Sequence, residues 1–553
     1  MNEEFLKKLK TGFKGDIDMT DAILDEHSRD ASLFNVRPKL VVFPKDADDV
    51  VFLVQLVEEY KAQDPSLSLT ARSAGTDMSG GPLNKSIIID FIKYMHHVLE
   101  VTDEYAILQP GVYYRDLERE TLKRKRIMPA YTASKEICAV GGMVANNSGG
   151  EKTLKYGKVE DYVEELDVVF SDGKIRTVKP VTIDELNQKI SDANQDVFER
   201  DLYRNIKKLV EDHRQELADA KPKVSKNSAG YYLWNIWNEE KKTFNLNRVI
   251  VGSQGTLGIV TRIRFRLVAV ANYSNVLAVF MSDITNVGKL VKEVLPYGAD
   301  SLETYDDYSM KLAIRFFLDF LTYLGPIQTV KLGLRFLPEA MMMLTGGIPK
   351  MTVIIEVTGF SEKEVKDKLL KIQQGIAHFG FKTRIARNSL EAEKYWRVRR
   401  ESFNLLRKHV RGKRTAPFID DIIVPPQTLP EFLPRIKTLI DEYKLVYSVQ
   451  GHVGDGNFHI IPLMDLTKQY STDTILNLSH KVYDLVDEFK GSITAEHNDG
   501  IIRTPYLLGM YGEKIIALFQ QTKDAFDPRN IFNPGKKVGG TFDDIRNALV
   551  KKN

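Results

Sequence analysis

The segment Arg72-Ser73-Ala74-Gly75-Thr76-Asp77-Met78-Ser79-Gly80-Gly81 follows a short strand candidate, Leu67-Ser68-Leu69, and precedes the β-branched run Ile87-Ile88-Ile89-Asp90. Small residues let successive backbone N–H groups come close to a ligand, and such amide nests favour anions, a pyrophosphate among them. One such loop is more often a plain surface turn. Two further loops change the reading. Gly141-Gly142-Met143-Val144-Ala145-Asn146-Asn147-Ser148-Gly149-Gly150 carries four glycines and no bulky charge. Gly252-Ser253-Gln254-Gly255-Thr256-Leu257-Gly258 follows a strand candidate and runs into Ile259-Val260-Thr261. Neither has the G-x-G-x-x-G spacing of a nicotinamide-binding turn or the G-K-[ST] ending of a P-loop. Three loops of this kind in one region point to a large, flat, phosphorylated ligand.

Around these loops, short β-branched runs alternate with helical stretches from about residue 38. Leu40–Phe43 reads as a strand, and 46–60 as a helix with Val50, Leu53, Val54 and Val57 on one face. A strand at 166–170 closes at the Asp172-Gly173 turn. A second α+β region has strands near 276–280, 352–357 and 447–449, and the tail is helical over 515–526. The organisation expected is a lead-in over 1–35, a ligand-binding domain over 36–270, a substrate domain over 271–500 and a C-terminal segment over 501–553.

With 553 residues, 43% hydrophobic and 28% charged, the chain is a folded multidomain protein rather than a disordered one. Its single cysteine, Cys138, can close no internal disulfide and hold no cysteine-ligated iron–sulfur cluster. Lys and Arg number 78 against 75 Asp and Glu, for a net charge of +3, with no basic stripe, so no nucleic-acid partner is expected. The first residues lack the apolar core of a signal peptide, and no apolar run reaches the ~20 residues that span a bilayer. A cytoplasmic location is the expectation, with one alternative. Over 309–346, Lys311, Arg315, Asp319 and Thr322 form a narrow polar stripe on an apolar helix pattern, and Lys331, Arg335 and Glu339 repeat it before Met341-Met342-Met343-Leu344. This apolar helical insertion suits a membrane interface on the inner face, a buried helix pair or a homodimer contact.

The strongest constellation lies in Val449-Gln450-Gly451-His452-Val453-Gly454-Asp455-Gly456-Asn457-Phe458-His459-Ile460-Ile461. Asp-Gly between apolar runs signals a two-residue hairpin turn. That register pairs His452 with His459 on one face, with Cβ atoms about 4.5–5.5 Å apart, a spacing that suits two imidazoles on one divalent metal. Ala495-Glu496-His497-Asn498-Asp499-Gly500 supplies a carboxylate beside another histidine. Two imidazoles and one carboxylate leave coordination positions open, as a catalytic rather than a structural site does. A lone histidine is usually a core or surface residue, but three of only ten fall in these two segments.

Taken in order, RSAGTDMSGG, GGMVANNSGG, GSQGTLGIVT, GHVGDGNFH, AEHNDGIIR and FDPRNIFNPGKK resemble the motif series of the FAD-linked oxidases with a vanillyl-alcohol-oxidase/PCMH-type FAD domain, over residues 36 to 538. Within that family the chain is similar to D-lactate and D-2-hydroxyglutarate dehydrogenases and the glycolate oxidase catalytic subunit. The resemblance implies an α+β fold: a two-subdomain FAD-binding domain, a substrate (cap) domain with an antiparallel sheet, and a C-terminal segment returning to the flavin. It places FAD against Arg72, Ser73, Ala74, Gly75, Thr76, Asp77, Met78 and Ser79, against Gly141, Gly142, Asn146 and Gly149, and against Gly255, Ile259 and Val260, with Asn533 beside the isoalloxazine ring. Thr76-Asp77-Met78 lacks the histidine of covalent members, so the FAD is expected to be non-covalent. Cys138 sits one residue away from the cysteine attachment point of some relatives and reads as a small buried hydrophobe.

By the same resemblance His452, His459 and Glu496 ligate one divalent metal (Zn, Mn or Fe) and His497 is the catalytic base. Arg399, in Trp396-Arg397-Val398-Arg399-Arg400-Glu401, is the arginine for the substrate carboxylate, a solvated basic helix being the other reading. Phe403 and Ile419 stand where the D-2-hydroxyglutarate enzymes have a threonine and a lysine, which favours a monocarboxylate such as D-lactate, or a larger apolar 2-hydroxy acid, over D-2-hydroxyglutarate. Asn498-Asp499 departs from the family's small residues and adds a carboxylate expected to shift the base's pKa or reject an acidic substrate tail. The chemistry implied is oxidation of a D-2-hydroxy acid: the metal lowers the hydroxyl pKa, His497 takes the proton, and a hydride passes to flavin N5. Other readings are a D-2-hydroxyglutarate or glycolate dehydrogenase, an oxidase or alkyl-transferring flavoenzyme, and an electron-transfer subunit of a larger complex. With one cysteine, the electrons must leave for an external acceptor: a quinone, an electron-transfer flavoprotein or an iron–sulfur protein.

Overall fold

Four strands, β1 (Asp16–Asp18), β2 (Leu40–Phe43), β3 (Leu69–Arg72) and β4 (Ile87–Asp90), form the first sheet in the order β1-β2-β4-β3. The apolar runs of β2 and β4 are buried along their whole length, as strands covered on both faces are. β4 runs parallel to both β2 and β3. Parallel neighbours need crossovers. One contains α1 (Ala47–Tyr60), whose Asp46 side chain accepts the Asp49 N–H as an N-cap and whose Leu53, Val54 and Val57 are buried. The other, from the end of β3 to the start of β4, is the first glycine loop. Parallel strands place ligands at their carboxyl ends, and this loop begins there, at Arg72.

In this computed structural model, which describes residues 2–192, 196–307, 310–311, 347–409 and 413–549, a second, antiparallel sheet stands beside the first. It comprises β5 (Val98–Val101), β6 (Tyr105–Leu108), β7 (Val163–Val169), β8 (Ile175–Val178) and β9 (Ile259–Arg266) in the order β5-β6-β9-β7-β8. The third glycine loop ends where β9 starts. Ile259, Thr261, Ile263 and Phe265 are buried while their alternate neighbours are less so, the period-2 pattern of a pleated strand.

The third sheet has eight strands: β10 (Tyr273–Met281), β11 (Ser301–Asp306), β12 (Met351–Gly359), β13 (Lys382–Ile385), β14 (Arg414–Thr415), β15 (Ile422–Ile423), β16 (Val446–His452) and β17 (Asn457–Met464). Its order is β13-β10-β12-β11-β16-β17-β14, with β15 also pairing β17, and every pairing is antiparallel. The tail then rejoins the first sheet: Leu69 donates its N–H to the Ile531 carbonyl and accepts the Asn533 N–H on its own carbonyl. The expected α+β class, with an antiparallel sheet in the second half and a returning C-terminal segment, is the architecture observed. The apolar insertion at 309–346 lies outside the described residues except for Met310 and Lys311. Among the described residues no helix is long and apolar enough to cross a membrane.

The β16–β17 hairpin corrects one expectation. His452 pairs with Asn457 and His459 with Gln450, so the turn is the four residues 453–456 rather than Asp455-Gly456 alone. Tertiary partners decide this. Asp455 is held by Ser225 Oγ at 2.6 Å and Lys226 Nζ at 3.1 Å, and Gly456, at φ +78°, lies against the Val424 carbonyl. The shift is two residues, an even number, so both histidines keep the same face. Their ring centroids are 5.2 Å apart. A Cβ at Gly456 would stand 1.9 Å from the Val424 oxygen, so Gly456→Ala should destabilise the hairpin by at least ~2 kcal/mol from left-handed strain and overlap together. Calorimetry should register a lower-temperature unfolding transition; an unchanged thermogram contradicts this account of the turn.

Candidate active site

All three glycine loops face one cavity of about 820 Å³, within the size range of cofactor pockets. Of the residues expected around FAD, Ser73, Ala74, Gly75, Thr76, Asp77, Met78, Gly141, Gly142, Asn146, Gly149, Gly255 and Val260 line it. No atom lies within 4 Å of the point where a Cβ on Gly142 would stand, and for Gly255, at φ +67°, the nearest atom is Ala71 Cβ at 3.9 Å. The loops therefore keep open space that side chains would fill, which fits a dinucleotide. Four expected residues lie behind the wall instead. Arg72 passes under Gly75 and donates to the Arg29 carbonyl at 2.7 Å; a Cβ on Gly75 would overlap its guanidinium. Ser79 is fully buried and accepts from Gln254 Nε2 at 3.1 Å. Ile259 belongs to the core under the first sheet.

Asn533, the fourth, ties the loops together. Its Oδ1 accepts from Thr70 Oγ1 at 2.8 Å, and its Nδ2 donates to the carbonyls of Gly81 at 2.9 Å and Gln254 at 2.7 Å. Asp77 joins the first loop to the second, accepting from Asn146 Nδ2 at 2.8 Å. Cys138 lines the cavity with 4% exposure, and burial pushes its thiol up.

The cavity's other end is built from His452, His459, Glu496, His497 and Arg399. Ligand atoms of His452, His459 and Glu496 lie within 4.8 Å of one another, and His459 shares a second such cluster with His497 and Asp420. Carboxylates behind the rings favour the first set. Glu303 Oε1 lies 2.6 Å from His452 Nδ1, and the two oxygens of Asp420 lie 3.1 Å from His459 Nδ1 and 2.7 Å from His497 Nδ1. Ionised Asp420 only accepts, so Nδ1 of His459 and of His497 carries the hydrogen and their Nε2 atoms are the open nitrogens, while His452 turns its Nε2 toward Glu496. That is how metal-binding histidines are normally backed. Glu496 Oε1 lies 3.4 Å from His452 Nε2 and 2.5 Å from Lys226 Nζ. Two imidazole nitrogens and a carboxylate oxygen thus fit one divalent cation.

The electrostatics follow from burial and neighbours. Burial opposes the charge on Glu496, yet Lys226 and His452 outweigh it and bring the carboxyl down to about 2. Burial also opposes an imidazolium at His497, but Asp420 and Asp421 outweigh it and hold the ring up at about 9. His452 is driven well below the ordinary imidazole value by burial and then by Lys226, which leaves it neutral for a metal. Burial pushes Glu303 up to about 7 despite Arg399.

Two expectations about charge change. Asp499 does not face the base: its carboxylate takes the Gly230 N–H at 2.8 Å and Lys537 Nζ at 2.9 Å. The acids acting on His497 are Asp420 and Asp421, adjacent in Pro417-Phe418-Ile419-Asp420-Asp421, a segment without glycine or histidine to mark it. Arg399 is 5% exposed, which excludes a solvated helix face, and its guanidinium is paired with Glu303 and with Glu151 Oε1 at 3.2 Å. Glu151, Glu303 and Lys226 carried no local motif; a run of acid and base beside glycine was the sole trace of the first.

Two family models match the chain, one described as an FAD binding domain over residues 38–179 and one as the C-terminal domain of FAD linked oxidases over residues 270–537. A D-2-hydroxyglutarate dehydrogenase of Escherichia coli (strain K12) is 26% identical over 546 residues, covering 96% of this chain and 51% of that protein. The chain thus spans about half the length of such relatives. A D-lactate dehydrogenase of Archaeoglobus fulgidus is 25% identical over 507 residues, 90% of this chain and 91% of the other. In fold, p-cresol methylhydroxylase with substrate bound is similar at a TM-score of 0.68 and 14% identity, over 98% of this chain and 97% of that one. With a flavin-sized cavity walled by three glycine loops and both family models matched in order along the sequence, the chain belongs to the FAD-linked oxidases and carries their FAD binding domain.

Proposed function

We infer that the protein oxidises a D-2-hydroxy acid to the 2-oxo acid, using non-covalent FAD and a divalent metal held by His452, His459 and Glu496. The observation that supports this most directly is one cavity walled by the glycine loops at one end and by this ligand set with His497 at the other. FAD, when bound against the glycine loops, would supply a hydride acceptor, and a divalent cation held by His452, His459 and Glu496 would supply a Lewis acid. The chain's own groups do the rest. His497 receives the hydroxyl proton on Nε2, because Nδ1 is committed to Asp420. Asp420 fixes the tautomer and stabilises the imidazolium that forms, as a carboxylate behind a catalytic histidine does. A cation held by the three ligands would bring His497 down from about 9 toward the neutral form a base requires. Lys226, fully buried, holds Glu496 and Asp455 in place.

Ile419 is fully buried and Ile461 lines the cavity. Ile419 belongs to the hydrophobic core rather than the wall, and the apolar Ile461 suits a monocarboxylate of the D-lactate type. The relatives named for D-lactate and D-2-hydroxyglutarate agree on the hydroxy acid class. Cys138 is the sole cysteine, so any iron–sulfur centre that receives the electrons comes from outside these residues.

Anaerobic mixing with D- and L-2-hydroxy acids should bleach the flavin with D isomers, and EDTA should abolish the bleaching. Bleaching untouched by chelator removes the metal from the scheme. His497→Ala should keep its yellow FAD and slow flavin reduction by ~10²–10⁴, whereas His452→Ala should lose metal, read by elemental analysis. Removing the carboxylate behind the base should lower the base's pKa. Histidine NMR titration of metal-free Asp420→Asn should therefore show His497 more than one unit below its wild-type value; an unmoved titration refutes the assigned charge pairing.

A further inference from the structure

Arg399 is the buried guanidinium on the cavity wall, and an anionic substrate group reaching it would ordinarily gain a charge-assisted pair. Two glutamates already hold it. Glu303, 1% exposed, pairs with Arg399 and also takes His452 Nδ1 at 2.6 Å, so it is fixed from two sides. Glu151, 6% exposed, lies 3.2 Å from Arg399 Nη1 and follows directly on Gly149-Gly150 of the second loop, both of which line the cavity. One positive charge faces two carboxylates. Among the described residues, the cap-side wall outside the histidines, Glu496 and Arg399 is Thr415, Ser448, Gln450 and Ile461. A second carboxylate on a substrate therefore meets a guanidinium whose charge Glu151 already offsets, with Glu303 beside it, an arrangement that rejects by like-charge repulsion.

We propose that Glu151 sets the charge of the accepted substrate: it occupies Arg399 so that the site takes 2-hydroxy acids with one carboxylate and an uncharged tail and turns away dicarboxylates. The proposal rests on the dehydrogenase reading for the reaction. It differs from that reading in assigning specificity to a residue supplied by the FAD-binding half of the chain. Arg399 becomes a positioning residue, acting on His452 through Glu303.

The test uses the FAD-loaded full chain and two unreactive anions, butyrate and glutarate, titrated by flavin absorbance. Wild type should bind butyrate at least tenfold more tightly than glutarate. Glu151→Gln keeps the side chain's size but removes its charge, and should close the gap to less than threefold by improving glutarate alone. Wild type binding glutarate as tightly as butyrate overturns the proposal without any variant, and so does a gap that Glu151→Gln leaves unchanged. A wild type whose flavin no 2-hydroxy acid reduces would end the dehydrogenase reading instead, since the two anion affinities judge Glu151 without turnover.

Discussion

Two adjacent carboxylates, Asp420 and Asp421, organise the catalytic end of the molecule. Both are fully buried. Asp421, at φ +67°, accepts on one oxygen the N–H groups of Glu496 and His497 and the Thr494 hydroxyl, at 2.8, 2.7 and 2.7 Å, and on the other the Asn457 amide at 3.1 Å. Hydrogen bonds to a charged group contribute roughly 1.5–3 kcal/mol each, so this side chain locks the Glu496-His497 loop to the β16–β17 hairpin. Asp420 then orients His459 and His497 from behind. The pair thus joins the hairpin that carries His452 and His459 to the segment that carries Glu496 and His497, a link that Lys226 reinforces by bridging Glu496 and Asp455. Burial disfavours both charges, yet the histidines outweigh it and keep both carboxyls well below the usual range.

The two halves of the cavity are joined by a second set of charges. Residues just after the second glycine loop reach across to the other half: Glu151 to Arg399 in the helix Ser389–His409, Lys152 to Glu356 of β12 at 2.6 Å, and Lys155 to Asp300 just before β11 at 3.0 Å. Buried pairs of this kind contribute little net stability but penalise misalignment, because a lost partner leaves an uncompensated charge. Asn498 does similar work without charge. Its Nδ2 donates to the carbonyls of Asn146 and Gly252, at 3.1 and 2.9 Å, tying the residue after the base to the second and third loops. It adopts φ +67°, a left-handed conformation that asparagine tolerates better than most residues.

Local features of the sequence carried most of the fold and half of the site. Glycine loops, β-branched runs and the Glu496-His497 dipeptide are legible because their meaning lies in neighbouring residues. The hairpin register was misread because Asp455 and Gly456 answer to Lys226, Ser225 and Val424, all far away in the chain. The same-face placement of the histidines survived only because strand parity is indifferent to a shift of two. Asp420, Glu303, Glu151 and Lys226 were illegible for a related reason: a lone acid or base has no periodicity, and its role appears once folding brings it to a histidine or an arginine. Asp499 shows the converse error, since adjacency in sequence to the base did not bring its carboxylate to the ring.

The Asn533 tie has a consequence for how the protein is made. The first and third glycine loops are emitted early in synthesis, around residues 72–81 and 252–258, but the amide that bridges their carbonyls belongs to residue 533. Leu69 likewise waits for Ile531 and Asn533 to satisfy its backbone. Domains usually consolidate from the N-terminus as they emerge from the ribosome. Here the nucleotide-binding half stays incomplete until residue 533 has emerged, and a complete set of tied glycine loops forms only after that point.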